Sequence, residues 1–207
     1  MNCVTYEELK KSEYGRLLDK AMQELDRDIL FDSEWFHGDD HVMRTMILGA
    51  YVAMGEKYTM EETWLLLMCC SYHDIGRIDD HYDEAHGPNA AKKIMNGEVR
   101  AFDRISKEHT AIAAAAISVH SQSDSSAEQY EREYDIRDHE LFMKMVRGLK
   151  DADNLDRVRL GDLDVKYLRT KTAKNAVDFA EELLKIVPLK KEPPWLKERR
   201  ANWKKNR

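Results

Sequence analysis

The sequence predicts an all-α protein: a single compact helical domain over residues 1–188, followed by a basic C-terminal tail over residues 189–207. Three observations carry that prediction. Apolar residues recur near helical spacing along most of the chain, while strict alternation is scarce and β-branched runs are short. With 207 residues, 43% of them hydrophobic and 35% charged, nine glycines and four prolines, the chain can fill one buried core and has no signature of disorder or collagen. Nothing between Tyr6 and Val187 reads as a linker or as an internal repeat.

Thr5-Tyr-Glu-Glu is a cap-like start to a first helix running toward Leu30, with Leu9, Leu17, Leu18, Met22, Leu25 and Ile29 near helical spacing. Asp39 or Asp40 can cap a second that stops near Gly55. Thr59 can cap a third, ending near Gly76, whose run Trp64 to Cys70 is apolar all round and therefore central. A polar loop leads to a short helix from Pro88 to Met95. A long one follows from Asp103 to His120, through four alanines that favour helix and close packing. After a loop at Ser121–Ser126, helices are expected near Asp138–Lys150, Ala152–Arg159 and Val165–Val187. Pro193-Pro194 then sets off the tail, which reads as a solvated, mobile end with Trp195 as its docking side chain.

Charge and cysteine content narrow the function. The net charge is −6, yet Leu189 to Arg207 holds eight Lys/Arg against two Glu, so the remainder is more acidic than the whole. Such a body repels phosphate backbones, which argues against nucleic acid as a partner. No apolar run approaches the ~20 residues of a bilayer span and no cleavable signal opens the chain, so the expectation is a cytoplasmic protein without a membrane partner. Three cysteines, two of them adjacent at Cys69 and Cys70, build neither a disulfide framework nor a zinc ribbon.

Chemistry concentrates in histidines and aspartates. His41, His73, His86 and His120 all fall where a helix or helix end would hold them. Asp74 follows His73, and Asp151-Ala-Asp153-Asn-Leu-Asp156 supplies a late acidic cluster. Neutral imidazoles with carboxylates and no thiolate are the ligand set of catalytic iron, manganese, cobalt, nickel or zinc. Magnesium, which prefers oxygen shells, ranks below these. Asp151 and Asp153 stand about 200° apart on a helix, so only one can face a given ion; Asp156 shares the face of Asp153 and can orient an outer-shell group.

The ordered set His41-Val-Met-Arg44, Ser-Tyr-His73-Asp74-Ile-Gly-Arg77 and Lys150-Asp-Ala-Asp153-Asn-Leu-Asp156 resembles the HD-domain superfamily of metal-dependent phosphohydrolases over about His37 to Arg159. His86-Gly-Pro-Asn-Ala-Ala and Val-His120 look like the additional histidines of its two-metal members. The resemblance selects Asp153 over Asp151. It implies one or two divalent ions, with His41, His73, Asp74 and Asp153 on the first and Asp74, His86 and His120 on the second. It also implies cleavage of a phosphate ester or anhydride of a small molecule, such as a nucleotide, by a metal-activated hydroxide. Asp74, Arg77 and His81 are then the catalytic candidates, His81 as proton donor to the leaving group. Arg44, Arg77, Lys150 and His37 are candidate substrate contacts. Two other readings remain open: a mixed-valence di-iron oxygenase on the same fold, and a nucleotide-binding module without turnover. A homo-oligomer is compatible with all three.

Overall fold

Side-chain caps decide where the helices start. The structure, a computed structural model, describes residues 4–31 and 35–206. Thr5 and Glu8 form a reciprocal capping box that opens α1 (Tyr6–Lys11). The expected single first helix is two, because Ser12 turns extended and its hydroxyl accepts from the Gly15 N–H to cap α2 (Glu13–Gln23). Helix α3 (Asp39–Gly55) is capped by Gly38 rather than Asp39 or Asp40. Both aspartates instead lie in its first turn, where negative charge suits the helix dipole. A second capping box, Thr59 with Glu62, opens α4 (Met60–Tyr72).

Helix α5 (His86–Met95) begins ahead of Pro88, which fits the first turn because its missing N–H has no intrahelical partner there. Ser106 caps α6 (Lys107–His120), later than the expected Asp103. The short α7 (Ala127–Glu133) was not expected. Asp138 caps α8 (His139–Leu155), which merges most of two expected helices and tightens into a 3-10 turn at Asp156–Arg159. The stretch expected as one helix from Val165 is broken: Thr170 caps the single-turn α9 (Lys171–Lys174), and α10 (Val177–Ile186) follows. Among the described residues there is no strand, so the molecule is all-α, as the sequence predicts.

Helix α4 is the hub. Residues Leu65 to Tyr72 are buried, and α4 packs against α2, α3, α6 and α8. Each fully buried Leu there contributes about 2 kcal/mol of transfer free energy. Helix α5 lies against α6 at close range, because Gly87 has no Cβ: one built there would stand 2.5 Å from the Ile117 carbonyl oxygen and 2.6 Å from the Ser121 hydroxyl. Gly76 does the same for the turn after α4, where a Cβ would lie 2.0 Å from the His86 carbonyl oxygen. These two contacts bring the ends of α4, α5 and α6 together.

The tail is not a mobile end. It forms α11 (Pro194–Asn206), with Leu196 fully buried and the Trp203 indole N–H donating to the Leu163 carbonyl at 2.9 Å. Arg199 pairs with Asp162 and Lys204 with Glu181, both at 2.7 Å. The expected anchor Trp195 stays half-exposed; Leu196 and Trp203 dock the helix instead. No helix among the described residues is long and apolar enough to cross a membrane.

Candidate metal centre

Five helices deliver six side chains to one point. His41 comes from the first turn of α3, His73 from the residue closing α4, with Asp74 in the turn behind it, His86 from the start of α5, His120 from the end of α6 and Asp153 from the last turn of α8. His41, His73 and Asp74 form one group, and Asp74, His86 and His120 a second, each able to hold a metal ion. Asp74 belongs to both. Its Oδ2 lies 3.5 Å from the Nε2 atoms of His41 and His73, and its Oδ1 lies 3.3 and 3.8 Å from those of His86 and His120. Asp153 Oδ1 adds to the first group, 3.4 Å from His41 Nε2 and 4.0 Å from His73 Nε2.

The ring tautomers follow from the partners on the far side. His73 Nδ1 meets the Cys70 carbonyl at 2.9 Å, His120 Nδ1 the Ile117 carbonyl, and His86 Nδ1 the Asp83 carbonyl, each three residues back. Carbonyls only accept, so every one of these Nδ1 atoms carries the proton. For His73 and His120 the acceptors are carbonyls at helix C-termini, which have no intrahelical donor. His41 Nδ1 points to Asp156 Oδ2 at 2.7 Å. Four Nε2 lone pairs therefore converge, with His41 and His73 only 3.2 Å apart and His86 and His120 only 2.9 Å apart.

Protonation of His41 or His86 cannot relieve this crowding near neutral pH. Burial pushes His41 down to about 3, with the Arg159 charge adding to it, and burial together with His120 pushes His86 down to about 4. Burial works against ionisation of Asp153, yet His41 and His73 hold its carboxyl down to about 2. Asp74 is held well below the carboxylate range, against burial, by His73, His120 and Arg77. Its buried Oδ2 has no hydrogen-bond partner among the described residues. Converging imidazole lone pairs, ionised carboxylates and an orphaned buried oxygen fit a divalent cation, and the donor set suits transition metals.

Outer contacts lock these candidate ligands. Asp156 holds His41 and takes Arg44 Nε at 2.6 Å and Arg159 Nη1 at 3.0 Å. Despite its burial, the two guanidinium groups keep its carboxyl far below the usual range. The face shared by Asp153 and Asp156 is thus realised. Asp151 points elsewhere, accepting from the backbone N–H groups of Arg169 and Thr170, both at 2.7 Å.

The expected substrate contacts divide. Arg44 is fully buried and committed to Asp156, to Asp40 at 2.9 Å and to the Val187 carbonyl at 3.1 Å, so its guanidinium orients the centre instead of meeting a phosphate. Lys150 is also buried. Its three donors reach the carbonyls of Val119 and Gln122 and the carboxylate of Asp124, which makes it a clamp on the loop after α6. Arg77 stays at the centre, its Nε donating to Asp74 Oδ1 at 2.9 Å and its Nη2 lying 3.4 Å from His86 Nε2. His37 stacks edge-on against His41 at 5.7 Å and hydrogen-bonds Asp80 Oδ1 at 2.7 Å. His81 is exposed on the loop that follows, where its carbonyl accepts from Arg77.

Two contributors were not anticipated. Arg159 signals itself only through its i+3 spacing from Asp156, and Asp80 carries no sequence signal that ties it to His37. Comparison of the chain with protein-family models, with curated proteins and with solved structures found no match.

Proposed function

We propose that the protein is an HD-type metal-dependent phosphohydrolase that cleaves a phosphate ester or anhydride of a small molecule, with a nucleotide as the favoured class. The observation that carries this reading is the pair of His/Asp groups sharing Asp74. A shared carboxylate is what two closely spaced divalent ions need to offset their repulsion.

Iron, manganese, cobalt, nickel or zinc, bound there, would supply Lewis acidity toward a phosphoryl oxygen and a water acidic enough to ionise near neutral pH. The protein's own residues supply orientation and charge. His41, His73 and Asp153 would hold one ion, His86 and His120 the other, and Asp74 both. Asp156 keeps the His41 lone pair aimed inward, and Arg44 with Arg159 keeps Asp156 ionised. Asp153, with 31% of its side chain exposed, marks the side open to solvent, since the histidines and Asp74 are buried. Arg77 is the basic side chain placed to take non-bridging phosphate oxygens, being partly exposed beside Asp74 and His86. His81, held near by its carbonyl bond to Arg77, is the candidate donor of a proton to the leaving oxygen.

The test is to strip the protein with chelator, reload it with each metal in turn and measure phosphate release from a panel of nucleoside phosphates and simple phosphate esters. Anomalous scattering should place metal between His41 and His73 and between His86 and His120. Absence of phosphate release with every loading overturns the reading.

A further inference from the structure

The metal-centre residues leave unexplained an aromatic surface that begins one residue away from His37. Trp35 and Trp195, 160 positions apart in sequence, are 46% and 52% exposed. Phe36 joins them, its ring centroid 6.5 Å from Trp35 and 6.3 Å from Trp195. The Lys191 ammonium stands 5.6 Å over the Trp35 ring, and Lys190 pairs with Asp39 at 2.5 Å, which fixes the segment before α11 against the start of α3.

The chain joins this surface to the centre. Phe36 precedes His37, and the His37 ring contacts that of His41 edge-on at 5.7 Å. On the other side, the bond from His37 to Asp80 joins the loop carrying Ile78 and Tyr82, which are 86% and 88% exposed. Ile78 and Tyr82 stand two residues to either side of Asp80 in the chain.

Docking of the tail does not account for Trp195. Leu196 and Trp203 already anchor α11, and a brace would bury the indole rather than leave half of it in water. An indole face costs little to leave wet when it exchanges water for a planar ligand, and stacking on it tolerates any base. A cation beside the rings favours a ligand that also carries negative charge. A long nucleic-acid strand satisfies the rings but meets the acidic body beyond them.

We propose that Trp35, Phe36 and Trp195, whose rings stand at 47° and 63° to one another, form an aromatic corner in which an indole face is the stacking platform for the planar ring of a small substrate, a nucleobase, whose phosphate reaches the His/Asp centre past His37. The placement of the phosphate rests on the function proposed above; the ring binding does not.

Calorimetric titration of the full chain separates the two, with adenosine and ribose 5-phosphate as probes of ring and phosphate. Adenosine should bind the native protein, Trp35→Ala should weaken it about tenfold, and Trp195→Phe should retain most of the affinity. In the metal-loaded protein, Trp35→Ala should lower the ratio of kcat/KM for adenosine monophosphate over ribose 5-phosphate about tenfold, through KM. Adenosine that does not bind, or a ratio that Trp35→Ala leaves unchanged, overturns the platform. If neither phosphate ester is cleaved while adenosine binding still depends on Trp35, the platform stands and the phosphohydrolase reading fails.

Discussion

Each imidazole in the centre is aimed by what its far nitrogen touches, and Asp156 is the most heavily committed of those partners. Asp156→Ala would leave Arg44 and Arg159 as buried charges without their shared counter-ion and free the His41 ring to turn. We expect a loss of about 3 kcal/mol in urea unfolding of the metal-free protein, and a drop of about 10- to 100-fold in metal affinity read by titration. Acid should act on the same rings. The folded values of His41 and His86 lie below their unfolded ones, so between about pH 7 and pH 4 the unfolded chain binds more protons and folding loses ground. The depressed carboxyls Asp153 and Asp156 extend that loss below about pH 4, where the unfolded chain takes up their protons first. Near pH 5 the His41 and His86 rings should each cost about 2 kcal/mol, measurable as a falling denaturation midpoint in chelator-treated protein; a midpoint that rises on acidification would contradict the neutral tautomers of these two. At this scale the clustering of His and Asp was readable, because such residues beside apolar helix ends are chemically conspicuous. Arg44 and Lys150 misled, because a sequence shows charge but not which oxygens absorb it.

Helices bring these residues together only because their ends approach closely, and the glycines at those approaches carry a testable load. Gly87→Ala would drive a methyl group toward the Ile117 carbonyl and, at 3.1 Å, toward His120 Nδ1, prying α5 from α6. The expected outcome is a destabilisation of about 1–3 kcal/mol by thermal or chemical unfolding and loss of the His86–His120 group, with metal content by elemental analysis falling toward one ion per chain. Retention of both ions with native stability would show that α5 can shift freely. Helix existence was legible wherever an apolar stripe met a cap, as at Thr5, Thr59 and Asp138. Boundaries failed where a polar residue did two jobs. Ser12 ends one helix and starts the next, and the acidic run after Lys150 continues α8 because Ala152 and Leu155 are fully buried.

Across the whole molecule, charge and tail form one system. The acidic body would oppose an anionic substrate, and the basic segment from Lys190 lies against α3 and the turn after α8 instead of trailing in solvent, so its cations stand on the side of the body that carries His37 and Arg159. Sequence composition could not reveal this. Eight like charges on both sides of a Pro-Pro step look solvated, and the two side chains that reverse the outcome, Leu196 and Trp203, are sparse apolar residues in a charged helix. Ending the chain at residue 188 therefore provides a measurement at this scale. Burial of Leu196 contributes about 2 kcal/mol, and the Trp203 hydrogen bond to Leu163 about 1 kcal/mol more. The shortened protein should unfold at lower denaturant concentration by a stability change of about 3 kcal/mol, with hydrogen exchange quickening at residues 159–164. A freely mobile tail predicts no change in either quantity, so equal midpoints for the two chains would remove α11 from the fold.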